Sequence, residues 1–141
     1  MYLAKMFQTP GEMLDFLNDV LIGTQPITGP LNVNGLTLII NATTVTLVGT
    51  KTLNQIVAAV NTAMSGQFAE IRNYGRTPPY GSFLAIAKAT AVVDKDGTAN
   101  ALFGLPTAAD YTVGAAAIVK AKLIDMEIDH TGRIFHILYE A

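Results

Sequence analysis

The sequence predicts an α+β fold: a mostly antiparallel sheet carrying two helices, near residues 10–21 and 53–64, and closed by a C-terminal β-hairpin. Three observations carry that expectation. Two segments place apolar residues at helical spacing behind capping signals, most other apolar residues alternate at a period of two, and two extended runs near the end flank a turn containing Gly132. At 141 residues the chain is one domain's worth. We read residues 31–105 as its core, 1–30 as an N-terminal strand and helix, and 106–141 as the hairpin.

Residues 1–7 read as a short strand. Thr9-Pro10-Gly11-Glu12 is then a capping box with proline at the first helical position. Met13, Phe16, Leu17, Val20 and Leu21 follow at three- and four-residue spacing, an amphipathic stripe expected to end near Gly23. The segment 22–30, with two prolines and two glycines, is a connector.

From Leu31 the period changes to two. Leu31 and Val33, then Leu36, Leu38 and Ile40, flank Asn34-Gly35, while Val45 and Leu47 alternate with threonines, with Asn41-Ala42 at the expected turn. Thr52-Leu53-Asn54-Gln55 forms a second capping box, and Leu53, Ile56, Val57, Val60 and Met64 make the stripe of the helix behind it, up to Ser65-Gly66. Strands are expected at 68–71 and 82–93, a turn at Asp94-Lys95-Asp96-Gly97, and one helical turn within 98–103 that stops at Gly104. The runs 115–129 and 133–139, turned at His130-Thr131-Gly132, form the terminal hairpin. No internal repeat appears.

Composition narrows the function. Half the residues are hydrophobic, 14% are charged and the net charge is -2, which argues against disorder and against a nucleic-acid binder driven by phosphate neutralisation. An average soluble domain is about 25% charged, so neighbouring chains are expected to cover part of the apolar surface. Much of the excess is alanine, which is cheap to expose. With no cysteine, the chain has no disulfide, thiol nucleophile or Cys-ligated metal. Residues 1–7 lack the continuous apolar stretch of a secretory signal, and no segment has the roughly 18 uninterrupted apolar residues of a membrane span.

The chemistry-bearing residues do not assemble into a site. Asp125, Glu127 and Asp129 alternate ahead of His130, with His136 six positions later, and read as a solvated face and a turn rather than a cation site. Asp94-Lys95-Asp96-Gly97 has its glycine too early for a calcium loop, and Gly49-Thr50-Lys51-Thr52 lacks the first glycine of a phosphate-binding loop. Ser65 and Ser82, the only serines, lie in no nucleophile elbow, and Glu12 with Asp15 is the ordinary acidic bias of a helix's first turn. No catalytic residue, metal or cofactor is expected. The segment Tyr74-Gly75-Arg76-Thr77-Pro78-Pro79-Tyr80 reads as a proline-stiffened connector, with partner or carbohydrate contact as its alternative.

Five segments taken in order resemble the flagellin-IN domain: Leu31-Asn32-Val33-Asn34-Gly35-Leu36-Thr37-Leu38, Thr52-Leu53-Asn54-Gln55-Ile56-Val57-Ala58-Ala59-Val60-Asn61, Gly66-Gln67-Phe68-Ala69-Glu70, Ser82-Phe83-Leu84 and Leu102-Phe103-Gly104-Leu105. That family carries an "xxINGxxI" hairpin, a "TLxxLVxAIN" helix, a "GVxAxx" strand, a "gxLxL" strand and a closing "LG" turn. The resemblance covers residues 31–105 and implies a surface-exposed structural module without catalysis or cofactor. Flagellar proteins set such modules between long heptad-patterned helices. Here 30 residues precede the segment and 36 follow it, with no coiled-coil pattern. The expectation is a structural protein of a tailed-bacteriophage virion, in decoration, neck, baseplate or fibre, with a bacterial surface appendage or glycan-binding module as the alternative.

Partners are expected to be further copies of the chain and other virion or appendage proteins, with neither nucleic acid nor membrane involved. The expected interface comprises Tyr2 and Phe7 of the first strand and Ile134, Phe135, Ile137, Leu138 and Tyr139 of the last. Ile134 and Leu138 alternate with Phe135, Ile137 and Tyr139, so the last strand is apolar on both faces. Such a strand, with one edge expected to be unpaired, invites strand addition by a neighbour.

Overall fold

The computed structural model describes residues 1–7, 10–74, 81–118, 123–128 and 135–140. In chain order the elements are β1 (Tyr2–Phe7), α1 (Pro10–Leu17), β2 (Leu21–Ile22), β3 (Leu31–Asn32), β4 (Thr37–Ile40), β5 (Thr43–Thr46) and β6 (Thr50–Lys51). After these come α2 (Leu53–Met64), β7 (Ala69–Tyr74), β8 (Gly81–Ile86), β9 (Val92–Val93), α3 (Asn100–Phe103), β10 (Tyr111–Thr112), β11 (Leu123–Ile128) and β12 (Phe135–Glu140). The fold is α+β and mostly antiparallel sheet, as expected. The chain forms two compact units: unit 1 is Met1–Asp19 with Gly114–Ala141, and unit 2 is Val20–Val113, inserted in the sequence of unit 1.

Unit 2 is built from local signals that agree with one another. The Thr52 hydroxyl accepts from the Gln55 amide while the Gln55 side chain accepts from the Thr52 amide, so the capping box satisfies two end groups of α2 at once. Leu53, Ile56 and Val60 are buried and Val57 is half-buried against the same core. Each full burial contributes about 1.5–3 kcal/mol. The helix stops where Ser65 turns left-handed, and its amide closes back on Asn61 and Thr62.

Strands β4 and β5 form a hairpin whose two-residue turn, Asn41-Ala42, has both residues at positive φ. That geometry matches the twist of the flanking strands. Asn34-Gly35 makes a separate turn, closed by the Leu36 amide on the Val33 carbonyl. The sheet runs β10-β9-β4-β5, with β2-β8-β7 and β3-β6 as further sheets. Phe103, Leu38, Ile40, Leu47, Ile56, Leu84 and Ile86 are fully buried in the shared core.

Asparagines and threonines staple the connections. Asn61, on the last turn of α2, accepts from the Phe68 and Ala69 amides and donates to the Ala69 carbonyl and the Gln67 side chain, fixing where β7 begins. Thr37 and Thr98 exchange hydroxyl and amide bonds. Asn100, wholly buried, donates to the carbonyls of Asp94 and Pro106 and holds the 94–106 segment together. Gly104 ends α3 at φ 71, where a Cβ would come within 2.5 Å of the Thr24 amide nitrogen. Only glycine fits there.

Several boundaries differ from the sequence-based expectation. The first helix ends at Leu17 rather than residue 21, because Asp19 takes a left-handed conformation and its carboxylate accepts from the Ala116 amide. Leu21 then pairs with Ile86 in β2. The expected strand at 82–93 is two, β8 and β9, separated by a turn with Thr90 at φ 70. Among the described residues of the run 115–129, 123–128 are strand and 115–118 are turn and coil. Thr9, the expected cap of α1, and the expected turn at His130-Thr131-Gly132 lie outside the described residues, as do positions 75–80.

Unit 1 is a three-stranded antiparallel sheet in the order β1-β12-β11, with α1 on one face. Phe7, Met13 and Ile137 are buried there, with Phe16, Leu17, Ile118 and Tyr139 packed around them. The Phe16 ring meets Phe7 at 5.3 Å and Tyr139 edge-on at 5.7 Å. Both separations are favourable for aromatic pairs.

Candidate functional site

The residues expected to form an interface all belong to unit 1, and the structure separates them. β12 is the central strand: β1 pairs with it from Tyr2↔Glu140 to Phe7↔Phe135, and β11 pairs along its other side. The free edge expected on the last strand is therefore corrected, because the first strand occupies it. Phe7 and Ile137 are consumed by the core of the unit, and Tyr139 is half-buried against Phe16. Leu138 is half-buried at a position opposite Ala4, and Tyr2 is 70% exposed. Phe135 is placed by its backbone register only, and Ile134 lies outside the described residues.

Sequence reasoning named the first strand through Tyr2 and Phe7 but missed Met6 and the face that it shares with Tyr2 and Ala4. The strand's odd positions face α1: Phe7 is buried, and the Lys5 ammonium lies 4.3 Å from the centre of the Phe16 ring. Its even positions, Tyr2, Ala4 and Met6, are exposed on the opposite face. Met6 is 64% exposed. The signal was the alternation within 1–7, which assigns Met6 and Tyr2 to one face of whatever sheet the strand joins.

The two edges of this sheet are unlike. β11 carries a register shift between Leu123 and Asp125 and two carboxylates two positions apart, Asp125 and Glu127. Bulges and charges are the usual protection of an edge strand. β1 pairs without interruption over six residues, and its single charge, Lys5, is folded over Phe16.

Other candidates are weaker. A shallow groove of about 520 Å³ runs along α2 in unit 2, between Val48 and Lys51 on one side and Gln55, Ala58 and Thr62 on the other. Val48 is exposed there, but among the described residues the groove is lined by one lysine, Lys51, and by no carboxylate or histidine. At the 94–97 turn, Asp94 accepts from the Asp96 amide and Asp110 from the Lys95 amide. The Asp96 carboxylate, hydrogen-bonded to the Lys95 ammonium, raises the lysine pKa above its ordinary value. These contacts are those of a self-satisfied turn. Glu127 is opposite His136 in the β11–β12 register, while Asp129 and His130 lie outside the described residues. Among the described residues no group of three His, Cys, Asp or Glu side chains is placed to hold a metal ion. No helix among them is long and apolar enough to cross a membrane.

No protein-family model, curated protein or solved structure matches this chain.

Proposed function

We propose that the chain is a non-enzymatic structural protein of a tailed-bacteriophage virion, acting by protein–protein assembly in a decoration, neck, baseplate or fibre position. The observation that carries this is the placement of exposed apolar side chains. Among the described residues seven large hydrophobic side chains are exposed; Met1, Tyr2, Leu3 and Met6 lie on or beside one edge strand, and Leu14 is on the helix of the same unit. Scattered apolar residues are normal on a surface, but a cluster on a sheet edge is the chemistry of an interaction site.

Further support comes from the resemblance of residues 31–105 to the flagellin-IN module. Its "TLxxLVxAIN" segment corresponds to the capped helix α2, and its closing "LG" to Leu102-Phe103-Gly104-Leu105 at the end of α3. In this arrangement unit 1 is the assembling part and unit 2 the displayed one.

The test is quantitative mass spectrometry of density-purified phage particles, beside sheared flagella and other surface appendages from the host. A constant copy number per particle is expected. Absence from particles, with recovery in hook or filament fractions or retention of the purified chain on glycan supports, would overturn the proposal in favour of an appendage or carbohydrate-binding role.

A further inference from the structure

Resting on that reading, we infer that the partner of the β1 edge is the β1 edge of a second copy, paired antiparallel about a two-fold axis midway between the two Ala4 residues. Among the described residues no strand pairs with the outer side of β1 in the sheet β1-β12-β11, which leaves a row of main-chain donors and acceptors for another strand. Two copies of one strand in a single antiparallel sheet are related by an axis perpendicular to the sheet. That axis lies midway between a residue and its own copy, and because it is perpendicular to the sheet, residues of like face stay together and α1 of both copies lies on the same side.

Charge and length select the register. Centring on Ala4 pairs Tyr2 with Met6, Leu3 with Lys5 and Met1 with Phe7 of the other copy, so the whole of 1–7 is used. Centring on Lys5 would oppose two ammonium groups, and centring on Leu3 or Met6 would leave part of the strand unpaired. In the Ala4 register the exposed Tyr2 ring meets the Met6 thioether twice by symmetry. Sulfur–aromatic contacts of this kind are favourable.

The other edge is less suited to this. The ladder of β11 is interrupted by the register shift between Leu123 and Asp125, whereas β1 pairs without interruption over six residues. The result is a six-stranded sheet in the order β11-β12-β1-β1-β12-β11, with the uninterrupted strands at its centre and the bulged ones at its two rims. Seven residues a side compares with the roughly 20–30 of a standard interface, so the isolated dimer is weak and gains strength through the many copies of a particle.

The absence of cysteine makes single-cysteine variants of the full chain clean reporters. Under mild oxidation Ala4→Cys is expected to give a covalent dimer and Asp125→Cys none, and an equimolar mixture of Tyr2→Cys and Met6→Cys is expected to crosslink more than either alone. In sedimentation velocity the native chain should show a concentration-dependent dimer that Ala4→Glu abolishes. Ala4 is exposed, so an unchanged circular-dichroism melt should accompany that loss. A native chain that stays monomeric at high micromolar concentration, or equal crosslinking at Ala4→Cys and Asp125→Cys, would overturn the inference. If the chain is found in particles yet fails these tests, the edge pairing falls and the structural role stands. If it dimerises through β1 but is absent from particles, the reverse holds.

Discussion

Unit 2 encloses its own core, whereas unit 1 leaves its apolar strand in solvent. In unit 2 a capped helix, an Asn41-Ala42 hairpin and a set of asparagine staples all serve one cluster that includes Phe103, Leu38 and Ile56, each wholly buried. In unit 1 the described core is Phe7, Met13 and Ile137, while Tyr2 and Met6 of the same sheet remain exposed. Buried core and exposed apolar surface thus fall in different parts of the chain: most of the described core lies in unit 2, while most of the exposed large hydrophobic side chains among the described residues lie in unit 1.

Breaking unit 2 from within should give the largest effect. Val60→Asp places a carboxylate at a wholly buried position of α2 and is expected to destabilise by about 4 kcal/mol or more, enough to leave little folded protein in a chemical denaturation series. Val57→Asp, at a half-buried position one turn back, should cost distinctly less. Equal losses at the two sites would mean that α2 packs differently from the arrangement described.

In unit 1, Phe7→Ala removes the ring that joins β1 to Phe16 and should cost about 3–4 kcal/mol within that unit. Limited proteolysis should then cut within the first twenty residues and the C-terminal strands while residues 21–113 stay intact. Simultaneous loss of both units would contradict their independence.

Smaller effects sharpen the picture of unit 2. Asn61→Ala deprives the Phe68 and Ala69 amides of their acceptor and is expected to cost about 2 kcal/mol, read as a lowered denaturation midpoint. Ala42→Gly should act the other way. Ala42 is exposed at φ 61, where a Cβ is unfavourable, so glycine is expected to stabilise by about 0.5–1 kcal/mol.

The contrast between the units also explains what could be read in the sequence. α2 was legible in full because its determinants are local: Thr52 and Gln55 three apart, and Leu53, Ile56 and Val60 at helical spacing. The Asn41-Ala42 turn was legible for the same reason. The pairing of β1 with β12 joins segments from opposite ends of the sequence, and no local pattern announces it, so the last strand reads as an edge when it is the centre. The stop of α1 at Leu17 was hidden because the periodic stripe runs on to Leu21, and the terminating left-handed Asp19 is held by the distant Ala116 amide. Likewise Gly23 looks like a helix end but serves close packing, since a Cβ there would meet the Phe103 carbonyl. At the candidate site the alternation of Tyr2, Ala4 and Met6 was visible, yet only the sheet order shows that this strand is the unguarded edge.

Hydrogen exchange of the full chain at low and high protein concentration tests the division of labour most directly. The Leu53–Met64 amides are expected to be equally protected at both concentrations, because unit 2 is complete in one copy. Protection of Tyr2–Phe7 is expected to rise with concentration as the free edge pairs. A β1 segment whose exchange is the same at both concentrations would contradict the account.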